Sequence, residues 1–198
     1  MSKLMKNVFL TTGLAVAVSS LSGCALAPQI INLETESPLA ASSYTLGRTA
    51  LVRVRDLREE PDRLGYRGGS SPEQAPLLTK PTLQVALTEK MQTSLMQLGF
   101  GGSSPIEPVK VDLAVNEFVY QCNDGNWVSQ CDLKVQLSLT VINEGTTFSQ
   151  PFTIKQSRSV ATAPRAGYNE EWVNGALDKL WSHMMTQDNV QKALGINP

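Results

Sequence analysis

The strongest constraint in this chain is a pair of alternating stretches that face each other across two cysteines. Val109, Val111, Leu113 and Val115 place apolar residues at every second position. Leu133, Val135, Leu137, Leu139 and Val141 repeat the pattern, with Lys134, Gln136, Ser138 and Thr140 between them. A period of two marks strands with one buried face. Strands are expected over 109–120 and 133–142, and a third over 147 to about 160 after the turn Asn143-Glu144-Gly145. Three strands on short connections form an antiparallel meander. Pro151 cannot donate to a ladder, so the third strand is an edge or carries a bulge.

Ahead of the meander, Ala50, Val52 and Val54 alternate with Leu51, Arg53 and Arg55, which predicts a strand over 49–57. A helix follows over 81–98, with Thr79 as its cap and Leu83, Ala86, Leu87, Met91, Leu95 and Leu98 on one face. A last helix is expected from Asn169 as cap, burying Trp172, Val173, Leu177, Leu180 and Trp181. Asp188 would then cap a short closing helix stopped by Gly195. The order strand, helix, three-strand meander, helix defines an α+β fold with a mainly antiparallel sheet. Both helices would pack on one face.

The N-terminus carries a different message. Lys3 and Lys6 precede an apolar run from Val8 to Val18, which leads into Leu21-Ser22-Gly23-Cys24. A charged start, a short apolar run and small residues before a cut describe an export signal. The cysteine after the small residue makes it a lipobox. On this reading residues 1–23 are removed and Cys24 carries the lipid. Residues 24–46 form a Pro- and Ser-rich tether, to which Ile30–Leu33 adds a short strand, and residues 47–198 form a single periplasmic domain. Ala25 rather than Asp after the anchor resembles the sorting pattern of Gram-negative lipoproteins, and that resemblance implies passage to the outer membrane. Stable attachment needs two or more acyl chains.

With Cys24 assigned, two of the three cysteines remain. In an oxidising compartment Cys122 and Cys131 form a disulfide. It closes a loop of about ten residues and stabilises by roughly 2.5–3 kcal/mol. The loop carries Trp127, which either faces a partner or folds back on the body.

Charge excludes some functions. The net charge is −1, and losing Lys3 and Lys6 with the signal makes it −3. Nucleic-acid binding would need a concentrated basic face, and none is present. His183 is the single histidine. It lies among Trp181, Met184 and Met185 with no second ligand at helical spacing, so neither a metal, a cofactor nor a catalytic triad is expected. The remaining candidate binding residues are Asp56, Arg58, Gly65 and Arg67, in a long charged loop after the first strand. They would bind a polar ligand, or Asp56 and Arg58 would pair to fix the strand's exit while Gly65 fixes a turn.

The lipobox, then Val52-x-Val54-x-Asp56-x-Arg58 with Gly65 downstream, then Leu95-x-x-Leu98-Gly99-Phe100, resembles the YajG-like family of uncharacterised outer-membrane lipoproteins. The resemblance implies the address and transfers no catalytic residue. The expectation is a non-enzymatic accessory protein, held to the membrane by its lipid and binding an envelope protein. The alternative is a ligand-binding module for a cell-wall fragment or lipid. Oligomeric state is not legible in the sequence.

Overall fold

The computed structural model describes residues 26–43, 45–69, 71–123, 128–161 and 163–196. Seven strands among them form one sheet: β1 Gln29–Asn32, β2 Ala50–Asp56, β3 Arg63–Tyr66, β4 Pro76–Lys80, β5 Val109–Asn123, β6 Ser129–Asn143 and β7 Thr146–Val160. The helices are α1 Leu83–Gln97, α2 Ala166–Met185 and α3 Asp188–Leu194.

The expected meander is present. β5 pairs antiparallel with β6 and β6 with β7, and β7 ends the strand order, which leaves Pro151 on an edge. The expectation of a mainly antiparallel sheet is overturned. β2 and β3 both run parallel to β5, and β1 runs parallel to β4, so the sheet is mixed. The physical reason is the crossover. After β2 the chain passes through β3, β4 and α1, and Val109 then hydrogen-bonds back to Thr49 at the start of β2. A chain returned by a helix to the same end of a sheet leaves it parallel.

On β6, Cys131, Leu133, Val135, Leu137, Leu139 and Val141 are buried while the residues between them are half-exposed. The buried face packs with Leu87, Met91 and Leu95 of α1 and Trp172, Leu180 and Trp181 of α2 in one core. Local details differ from expectation. Thr82, not Thr79, caps α1 by accepting from the Val85 amide. α2 begins at Ala166, which places Asn169 inside the helix and fully buried. Gln187 rather than Asp188 occupies the cap position of α3, and Gly195 ends it with a φ of +78°.

The stretch read as a tether enters the body early. Ile31 and Leu33 are buried, and β1 pairs with β4. Glu170 of α2 accepts from both the backbone and the side-chain amide of Asn32, at 2.8 Å each. The Asn174 side chain donates to Asn32 O and accepts from the Glu34 amide. Lys90, 1% exposed, sends its ammonium to the carbonyl of Glu36 and to Asp178, 2.8 Å away. Lys90 occupies the helical face of Leu87, Met91 and Ser94, a polar residue inside an apolar stripe. A buried charge survives only when paired and hydrogen-bonded, and here the N-terminal segment supplies the carbonyl.

Candidate functional site

β5 has fifteen residues, longer than any single strand on its free side. β2 covers it from Val109 to Val115, and β3 resumes at Tyr120. From Asn116 to Val119 no described strand pairs with this edge, and the β5–β6 register shifts between Val115 and Glu117. A groove of about 540 Å³ opens here, lined by Arg58, Glu59, Tyr66, Asn116, Val119 and Gln121 among others. Successive β5 residues that point to opposite faces all line it, so its wall is the strand's edge.

Two of the sequence candidates, Arg58 and Gly65, line this groove, and a third, Asp56, holds Arg58 in place. Asp56 ends β2, and its carboxylate takes a two-pronged bond from Arg58: Nε to Oδ1 at 2.9 Å and an η-nitrogen to Oδ2 at 2.7 Å. The guanidinium also donates to the carbonyls of Arg63 at 2.7 Å and Pro61 at 2.8 Å. Both side chains are under a tenth exposed. One arginine thus folds the Leu57–Asp62 turn onto itself, with Arg63 ion-paired to Glu60 and stacked 4.7 Å above the Tyr66 ring. The fork geometry of Arg suits this task and Lys would not reproduce it.

Gly65 fixes the groove's other end. Its φ is +146°, and a Cβ there would lie 1.8 Å from the carbonyl oxygen of Tyr120. Only glycine permits this approach of β3 to β5.

Arg67 lies elsewhere. It is 8% exposed and donates to Ala27 O at 2.6 Å and Pro164 O at 3.0 Å. Pro164 O also accepts from Gln29, whose side-chain oxygen takes a bond from Asn169. Asn169 in turn accepts from the Tyr120 hydroxyl at 2.9 Å. The structure therefore separates Arg67 from Asp56, Arg58 and Gly65, and makes it the lock between the first described residues and the loop before α2. Burial pulls the Arg67 guanidinium below the usual arginine range, against a raising effect of Tyr120.

Cys122 and Cys131 are register partners joined by a disulfide, with a Cα–Cα distance of 4.0 Å. Trp127 and Cys24 lie outside the described residues. The sequence reading missed Gln29, Lys90, Asn169 and Tyr120 as polar members of the core. For Lys90 a signal existed, its place in the α1 apolar stripe.

Tyr120 gives a pH prediction. It is fully buried, and burial pushes its hydroxyl up to about 12, with Arg67 pulling the other way, Tyr168 raising it and the Asn169 bond lowering it. The unfolded chain ionises near 10. Between these values the unfolded state binds fewer protons, so stability is complete below pH 10 and falls as the pH rises toward 12. Tyr120→Phe is expected to cost about 1 kcal/mol at pH 8 by leaving Asn169 Oδ1 without a donor. Its urea midpoint should fall less between pH 8 and pH 11 than that of the unaltered protein. An equal fall would remove Tyr120 as the titrating group.

Comparison with known proteins gives a family and a fold. No curated protein matches. A crystal structure described as an uncharacterised protein aligns over 85% of this chain and 99% of its own, with 13% identity and a TM-score of 0.50. A protein from Xanthomonas campestris aligns over 86% and 95% with 10% identity and a TM-score of 0.48. A putative neuraminyllactose-binding hemagglutinin homolog from Helicobacter pylori aligns over 83% and 96% with 13% identity and a TM-score of 0.42. The family model described as an uncharacterised lipoprotein matches residues 36–195, a span that holds the groove, the clamped turn and Gly65, and the chain belongs to that family, the YajG-like lipoproteins.

Proposed function

We propose that this protein is an accessory lipoprotein of the cell envelope. Lipid on Cys24 anchors it to the periplasmic face of the outer membrane, and the groove beside β5 receives an extended segment of an envelope protein. The observation that carries this reading is the open edge from Asn116 to Val119, walled by the Asp56–Arg58 turn on one side and Gly65 on the other. A strand edge with free backbone groups binds an extended chain by adding it to the sheet. The half-apolar, charged rim around Val119, 41% exposed, gives side-chain selectivity to that addition.

The test is in-cell photocrosslinking from Val119 and Tyr66. A discrete protein adduct from both positions is expected, and peptide mapping would name the partner. Adducts made only of glycan or lipid would sink the accessory reading and favour a ligand-binding module. The anchor is tested separately by Cys24→Ser, which should leave an unprocessed precursor.

A further inference from the structure

The position of the first described residues says how the body meets the membrane, given Cys24 as the anchor in the reading above. Ala27 is already bonded to Arg67, and the Leu26 side chain sits 3.3 Å from where a Cβ on Gly69 would be. Three residues of chain reach at most about 11 Å, so the surface around Ala27 cannot move far from the lipid headgroups. The structure also places a cleft of about 560 Å³ there, lined by Val160, Ala161, Pro164, Arg165 and Tyr168 among others. Pro164 belongs both to this cleft and to the Arg67–Gln29 lock that holds the N-terminal segment.

The cleft's chemistry suits an anionic headgroup. Arg165 is exposed, and Tyr168 is 38% exposed. Arg158 stacks over the rings of Tyr168 and Trp172 at 5.3 and 4.9 Å. Among the described residues neither Arg158 nor Arg165 has a carboxylate within salt-bridge distance. The nearby Glu170 carboxylate is held by Asn32. Guanidinium groups take phosphate oxygens two at a time, and Tyr is at home where one end is apolar and the other wet.

We infer that the Arg165–Tyr168 cleft, with Arg158 stacked on the Tyr168 ring beside it, docks on the phosphodiester headgroups of anionic phospholipids in the leaflet that carries the anchor, so that the body is seated on the membrane in one orientation. The groove beside β5 is then held at a fixed orientation to the bilayer instead of swinging on a long leash.

The test uses the full lipidated protein in vesicles of phosphatidylcholine with or without phosphatidylglycerol, doped with a nickel-chelating lipid. A nitroxide is placed on A161C or on T147C, both exposed positions. They lie near opposite ends of β7 and are separated by about 45 Å of strand. Nickel relaxation at position 161 should exceed that at 147 at least fivefold in phosphatidylglycerol vesicles. R165E, and independently R158Q, should bring it down to the level seen in phosphatidylcholine alone. Equal relaxation at the two positions in co-sedimenting protein, or indifference to lipid charge and to both arginine variants, would overturn the docking inference and leave the anchor intact. Protein that fails to sediment with vesicles would overturn the anchor and this inference with it.

Discussion

Gly65→Ala should lower the thermal midpoint by about 10 °C. The added carbon would lie 1.8 Å from Tyr120 O at a φ of +146°, so both the contact and the backbone angle oppose it. Strain of these two kinds costs about 3–4 kcal/mol, and a domain of this size loses roughly 2–4 °C per kcal/mol. The chain cannot relax by sliding, because β3 is held on its far side by β4 at Gly65↔Leu77 and Tyr66↔Pro76. Release of β3 from β5 should open the groove, and crosslinking from Tyr66 should fall with it. A midpoint within 2 °C of the unaltered protein, read by circular dichroism, would show that β3 does not approach β5 as described.

Arg58→Ala is expected to be comparably costly, for a different reason. It strands the Asp56 carboxylate, 6% exposed, and frees the carbonyls of Pro61 and Arg63. Removing one partner of a buried pair costs about 3–5 kcal/mol. Arg58→Lys should recover only part of the loss, since an ammonium cannot bond Asp56 twice and reach both carbonyls. The double variant Asp56→Leu with Arg58→Met should be more stable than Arg58→Ala alone, because no charge is left buried. If the double variant were the less stable, the Asp56 carboxylate would not be stranded at a cost when Arg58 is removed, and the buried-pair account of this turn would fail. Urea unfolding of the three variants decides this.

These two sites also show what was legible in the sequence and what was not. Strands β2, β5 and β6 announced themselves by a two-residue period, β7 by the turn that precedes it, and α1 and α2 by their apolar stripes, because each is long enough for its signal to stand out. β3 and β4 did not. Arg63–Tyr66 is four residues interrupted by a glycine, and Pro76–Lys80 is five residues beginning on a proline. Missing them hid the parallel pairing. Without β3 and β4 the path from β2 to β5 reads as one loop and one helix, and nothing local reveals which strand lies beside which. The Asp56–Arg58 pairing was readable as one of two alternatives from spacing alone, since two residues apart across a turn brings the charges together. Arg67 was not. Its neighbours Gly68 and Gly69 suggested an exposed loop, whereas its partners are carbonyls 40 and 97 residues away in sequence. Asn169 misled for the opposite reason. A good capping residue near a predicted helix start is the simplest local explanation, and only the tertiary structure brings Tyr120 and Gln29 to it.

The stitched N-terminal segment changes the mechanical picture of the molecule. A tether running through residue 46 would let the body sample a wide shell above the bilayer. With Ala27 bonded to Arg67 and β1 in the sheet, the reach from Cys24 shrinks to that of three residues. On the proposed anchoring and docking, a partner would come to the groove at the height and orientation that the seated body allows. Such preorganisation lowers the entropic cost of binding.

The most direct test of the account is amide hydrogen exchange over peptides covering residues 115–121. It would be measured on the lipidated protein in isolated outer-membrane vesicles and again after purification in detergent. An open β5 edge predicts rapid exchange of the amides not bonded to β6 in the purified protein, and marked slowing in the native vesicles where a partner strand occupies the groove. Equal protection in both preparations, whether fast or slow, would contradict the claim that this edge is the protein's binding surface.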